Sequence, residues 1–168
     1  MRTLLIGGVL GVLIAVLVAS LAACGSSSAS SSEQTVQRQA DLYLIDGIEK
    51  NFHKAISRKN IDLMMSLWAP NATFTLGQTA VGKKQIRQFW LTKSKNFQHT
   101  NHWVSETLAY KVRMTVNGDR GTLHFECHYV DTKTHELGPI TAADLQVARI
   151  NGSWLITDMV GASATLSP

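Results

Sequence analysis

Near residue 103 the apolar residues of this chain stop recurring every three to four positions and begin to alternate. That change of period dictates a fold in two parts, helices first and strands after. Before it, Val36, Ala40, Tyr43, Leu44, Ile48, Phe52 and Ile56 predict one long amphipathic helix from residue 33 to about residue 58. Ser30-x-x-Glu33 and Ser31-x-x-Gln34 are its candidate capping boxes. Asn60 can cap a shorter helix in which Ile61, Met64, Leu67 and Trp68 share a face, and Pro70 forbids its continuation. A short strand is expected over 73–76. Gly82 then introduces a third helix that gathers Ile86, Phe89 and Trp90 on one side and leaves Lys83, Lys84 and Arg87 wet.

Past a loop at 93–100, Val104, Glu106, Leu108, Tyr110, Val112, Met114 and Val116 predict one side of a long strand, and Asn117-Gly118 marks a turn. The next strand sets Leu123, Phe125, Cys127 and Tyr129 on one face and His124, Glu126 and His128 on the other. A third strand is expected over 140–150, Asn151-Gly152 is a second hairpin signal, and residues 154–160 close the sheet. The order predicts an α+β fold in which three N-terminal helices pack on a curved antiparallel sheet that wraps around the long helix.

The N-terminus is a separate segment. No charged side chain occurs from Thr3 to Ser32, Arg2 precedes an apolar run from Leu4 to Ala19, and Leu21-Ala22-Ala23-Cys24 resembles the bacterial lipobox. The expectation is a signal peptide over 1–23, a lipidated Cys24 and a flexible Ser-rich tether over 24–32, with a folded domain over 33–168. An uncleaved helix from Leu4 to Ala23 is the alternative, and both place the domain on the extracytoplasmic face of the membrane. As a random coil of eight residues the tether would reach only about 15 Å.

The balance of 16 Lys+Arg against 12 Asp+Glu is too even for a nucleic-acid binder. Lys83, Lys84, Arg87, Lys93 and Lys95 read as a solvated face, with anionic headgroups as the other partner that would suit them. Two cysteines give no disulfide framework, and Cys127 reads as a small core residue. The sequence holds no phosphate-binding loop, dinucleotide glycine motif or zinc-protease motif, so no cofactor is expected.

The run FHKAISRKNIDLMMSLWAPNATF, then VGKKQIRQFW, then a histidine-bearing stretch before long strands ending in NGSWLITDMV, resembles the SnoaL-like branch of the nuclear transport factor 2-like superfamily. The resemblance implies a cone-shaped fold with a pocket between concave sheet and helices, and a possible homodimer through the sheet's outer face. It also implies a superfamily of polyketide cyclases, dehydratases, ketosteroid isomerases and non-catalytic binding modules. SnoaL-like dehydratases carry a tyrosine on the first helix, an acid five residues later and a histidine entering the sheet. The matching positions here are Phe52, Ser57 and His102, or His99 if the loop is shifted. Lacking the carboxylate, the pair is broken, which points from an enzyme towards a module that binds a small apolar ligand or a partner protein.

Tyr43, Tyr110 and Tyr129, with Phe52 and Trp90, are the expected ligand-binding residues, although such tyrosines also serve as core rings with a wet tip. Asp144 and Asp158 interrupt apolar strand patterns, and either could act with His102 in a cofactor-independent acid/base enzyme of cyclase, isomerase or dehydratase type. His99-x-x-His102 offers only two of the ligands a metal needs, so no metal is expected. His124, Glu126 and His128 span about 13 Å along a strand, too far to share one ion, and face solvent or a docked partner. An accessory subunit of a cell-envelope assembly, docking through that face, is the third reading.

Overall fold

A computed structural model describes residues 26–105, 111–138 and 140–163. The chain divides into two units, Met1–Thr35 and Val36–Pro168. In the first, the serine-rich tract is helical from Ser26 onward, as the start of helix α1 (Ser26–Ser57), and not the flexible tether expected. Nucleation is the costly step of helix formation, so an established helix extends cheaply through Ser and Ala. Thr35 Oγ1 donates to the Ser31 carbonyl at 2.9 Å across one turn. The signal segment and Cys24 lie outside the described residues, among which no helix is long and apolar enough to cross a membrane.

In the second unit, the buried side of α1 carries Asp41, Ile45, Ile48, Glu49, Phe52, His53 and Ile56. The expected row is rotated: Val36, Tyr43 and Leu44 are exposed. Asp41, Glu49 and His53 stand outside the expected apolar row, and they are inside because each is paired. Asn60 caps α2 (Ile61–Ser66) by accepting from the Leu63 amide at 2.9 Å. Trp68 and Pro70 do not end that helix but open strand β1 (Trp68–Leu76), whose pairing shifts register between Trp68 and Thr73, where proline offers no amide. Strand β2 (Gln78–Val81) folds back on β1, and α3 (Gly82–Thr92) buries Ile86, Phe89 and Trp90 as expected.

The remaining strands are β3 (Trp103–Val104), β4 (Lys111–Asn117), β5 (Arg120–Cys127), β6 (Val130–Asp131), β7 (Thr141–Ile150) and β8 (Ser153–Ser163). The single long strand expected over 104–116 is not one element. Its start, β3, pairs with β6 in a separate two-stranded sheet, its end is β4, and residues 106–110, Tyr110 among them, lie outside the described residues. The main sheet runs β2-β1-β8-β7-β5-β4, antiparallel except where β1 lies parallel to β8.

Both Asn-Gly turns join hairpins, and at the second Asn151 and Gly152 both have positive φ, as a tight two-residue turn demands. Leu123, Phe125 and Cys127 of β5 are buried, on the strand face the alternation predicts, and Ala143, Leu145 and Val147 of β7 are buried beside them. Gly121 allows α1 to lie close: a Cβ there would stand 3.2 Å from Ile45 Cδ1 and 2.5 Å from the Thr115 carbonyl. The result is helices packed on a curved, mostly antiparallel sheet.

Candidate functional site

Where α1, α3 and the sheet meet, the core leaves a cavity of about 190 Å³. Its walls are aromatic and aliphatic: Phe52 from α1, Phe74 from β1, Trp90 from α3, Phe125 from β5, Tyr129 and Met159. Phe52 stands edge-on to Trp90 at 5.7 Å and lies 5.6 Å from Phe125, and Phe74 lies 5.3 Å from Trp90. Each such pair adds about 0.5–1.5 kcal/mol beyond burial, so the walls are stiff. Polar groups are few, chiefly Thr141 and Asn96. Trp90 lines the cavity, and its Nε1 is buried with no acceptor in reach among the described residues.

Behind the wall runs a buried polar relay. Glu49 and His53, one turn apart on α1, form an ion pair with Nδ1 2.7 Å from Oε1, their side chains 1% and 2% exposed. His53 Nε2 lies 2.9 Å from Cys127 Sγ, which in turn is 3.1 Å from Thr141 Oγ1. Burial opposes a charge on His53 most strongly. The hydrogen bonds to Cys127 and Glu49, and the charge of both, outweigh it and raise the imidazole pKa to about 9. A charged imidazole between a carboxylate and a thiol can hold or pass a proton at the cavity's edge.

His102 does find a buried carboxylate, but it is Asp131, 2.7 Å away, and neither residue lines the cavity. The pair fastens a loop. Asp131 Oδ1 also accepts from the Lys133 and Thr134 amides, while Thr132 bonds the His102 carbonyl through both its amide and its hydroxyl. Burial would raise the Asp131 pKa, and those amides with His102 bring it below the ordinary value. Ser57, at the acid position of the resemblance, instead accepts from the Ser105 amide at 2.9 Å.

The structure separates the three residues proposed for acid/base work. Asp144, its side chain 73% exposed, pairs with His124 at 2.7 Å on the opposite sheet face from Leu145. Asp158 pairs in register with Gln146 on β7 and is half-buried, away from the cavity lining. A wider, open hollow of about 820 Å³ lies beside Arg113, Met114, His124 and Asp144. His99 is exposed.

Of the expected ligand-binding residues, Phe52, Trp90 and Tyr129 meet at the cavity. Tyr43 does not: it is 74% exposed. Sequence reasoning missed Glu49, His53, Asp131 and Thr141. The signal for the first two was Glu49-x-x-x-His53 within the row Ile45, Ile48, Phe52 and Ile56, a helical spacing that places an acid and an imidazole on one apolar face.

Among solved structures the chain is similar to a nuclear transport factor 2-like protein with a cystatin-like fold from Novosphingobium aromaticivorans. That pair has TM-score 0.71 and 14% identity, covering 85% of this chain and 94% of the other. It is also similar to a protein of unknown function with a cystatin-like fold from Nostoc punctiforme, at TM-score 0.65 and 16% identity over 74% of this chain and 92% of the other. A third, a nuclear transport factor 2-like protein of unknown function from Pseudomonas putida, gives TM-score 0.63 and 15% identity over 79% and 89%. These likenesses establish the fold. No curated protein is significantly similar in sequence. The model of the SnoaL-like domain matches residues 50–155, which span β1 to β7 and most of the cavity wall, and the chain therefore belongs to the SnoaL-like domain family.

Proposed function

We propose that this protein is a membrane-tethered, extracytoplasmic SnoaL-like domain whose cavity binds one small, mostly apolar molecule carrying a hydrogen-bond acceptor. The observation that carries the reading is a cavity of about 190 Å³ walled by aromatic and aliphatic side chains, with Thr141 and Asn96 as its few polar groups. A dry cavity of about 150 Å³ accommodates benzene, so this one suits a single ring with a carbonyl.

Tethering is supported by Arg2, the apolar run and Leu21-Ala22-Ala23-Cys24. Cys24→Ala is expected to shift the protein out of the membrane fraction. Unchanged fractionation, with no lipid mass on the mature N-terminus, contradicts the tether. For the cavity, native mass spectrometry and tryptophan fluorescence of the detergent-extracted protein with cyclohexanone should show one saturable site that is weakened in Trp90→Phe. Binding that is absent, or indifferent to Trp90, contradicts the ligand reading.

A cofactor-independent lyase or isomerase is the second reading, favoured by the Glu49–His53 pair beside the cavity and not by His102. It requires deuterium exchange at the α-carbon of cyclohexanone in heavy water, lost in His53→Gln.

A further inference from the structure

Between Asp62 and Glu106 the chain carries no acidic residue, yet it carries Lys83, Lys84, Arg87, Lys93 and Lys95. The fold gathers all five within α3 and the single helical turn at Lys95–Phe97 that follows it. Burial of Ile86, Phe89 and Trp90 turns Lys84, Arg87, Gln88 and Leu91 outward, at the i, i+3, i+4, i+7 spacing of one exposed stripe. Lys93 and Lys95 are exposed beyond the end of the helix. Among the described residues only Asp62 answers this charge, through Arg87 at 3.0 Å, and Lys83, Lys84, Lys93 and Lys95 have no carboxylate partner. Lys111 is the contrast. It lies on β4, at the opposite edge of the main sheet from the strands that α3 packs on, and pairs with Glu126 at 2.8 Å. A solvated face ordinarily intersperses both signs, and this one does not.

We infer that the outer face of α3, with the chain as far as Lys95, rests on a bilayer surface rich in anionic headgroups. The inference goes beyond ligand binding, and it rests on the tether reading for one thing only, that a bilayer is at hand. Three features favour lipid over another polyanion. The stripe includes an exposed Leu91, and an exposed Val81 stands where the helix begins. Cations around single apolar side chains suit a headgroup layer with acyl chains beneath it. Four of the five cations are lysines, whose long apolar stems lie along such an interface while the ammonium reaches a phosphate. The neighbouring rings Phe89, Trp90 and Phe97 are buried, so the bases of a nucleic acid would find nothing there to stack on. Each lysine held near an anionic bilayer should raise partitioning about fivefold, an effect that fades within about 8–10 Å of the surface.

The test places the full-length protein in vesicles of phosphatidylcholine, with or without phosphatidylglycerol, and follows acetylation of each lysine by peptide mapping. Rates are read as ratios to Lys111 in the same molecules, so that protein orientation cancels. With phosphatidylglycerol, Lys84, Lys93 and Lys95 should slow at least about fivefold relative to Lys111. The slowing should vanish in about 1 M salt, where the screening length is about 3 Å. Reversing two charges, Lys84→Glu with Lys95→Glu, should abolish the protection of Lys93, and if this variant does not fold, the salt series on the unaltered protein decides. Equal rates in the two vesicles overturn the inference, and so does protection by soluble polyglutamate or polyphosphate as strong as that by the vesicles. Should the protein fail to float with phosphatidylcholine vesicles, the tether reading fails. Flotation with phosphatidylglycerol vesicles would then uphold the α3 surface alone, and flotation with neither would end both.

Discussion

Two buried acids stand on the same side of α1, Asp41 and, two turns on, Glu49, and their surroundings differ in one respect. Asp41 is saturated: its Oδ1 accepts from Trp154 Nε1 at 3.1 Å and Gln37 Nε2 at 3.0 Å, and it pairs with Arg149, whose guanidinium covers the Trp154 ring and reaches Asp119 on the surface. That cluster ends in solvent and fastens the helix to β7 and β8. Glu49 instead leads inward, through His53 and Cys127 to a hydroxyl on the cavity wall. A staple needs closed hydrogen bonds, whereas a site needs a row of groups that stops at empty space. By that criterion His102–Asp131 is also a staple, although the resemblance singled out His102.

The sharpest way to break the comparison is to remove each acid in turn. Glu49→Ala strands His53 without its carboxylate in a dry core and should cost about 3–5 kcal/mol in chemical unfolding. Asp41→Ala leaves Arg149 free to turn to water, and the cost should be about 1–3 kcal/mol, mostly from the Trp154 donor. Equal losses would erase the distinction.

Acidity should separate the two clusters next. The folded His53 pKa of about 9 lies above the unfolded value near 6.5. Its contribution is therefore whole below about pH 6.5 and lost as pH rises through about 9, at most about 3 kcal/mol, and Glu49→Gln should flatten the decline. Asp41 runs the other way. Burial favours its neutral form, and hydrogen bonds from Trp154, Arg149 and Gln37 overcome this to hold the pKa below the ordinary carboxylate value. That stabilisation is present above the unfolded pKa and fades as the pH falls through the folded one, and Asp41→Asn should abolish only this acid limb.

The smallest effect on stability belongs to Trp90→Phe, which keeps a ring in the wall and removes the unpartnered donor. Unfolding should change by less than about 1 kcal/mol, while affinity for a ketone should fall about twofold to tenfold as the smaller ring reshapes the wall.

Much of this was legible in the sequence. Alternation set the buried face of β5, two Asn-Gly pairs set the hairpins, and Ile86, Phe89 and Trp90 set the face of α3. The α1 face was misjudged because periodicity counts apolar residues, and Asp41 and His53 are inside through partners more than sixty residues away, Trp154 and Cys127, while Glu49 is held by His53 one turn on. The same limit hid Asp131: no local pattern announces that a loop acid will meet His102. Asp144 and Asp158 broke apolar strand patterns, but a strand's alternation does not say which face is covered. The parallel pairing of β1 with β8 joins distant parts of the chain and left no turn to read.

The most direct test is a crystal of the protein soaked with cyclohexanone. The account predicts one molecule among Phe52, Phe74, Trp90, Phe125 and Met159, against Thr141. A collapsed or empty cavity at saturating ketone would contradict it.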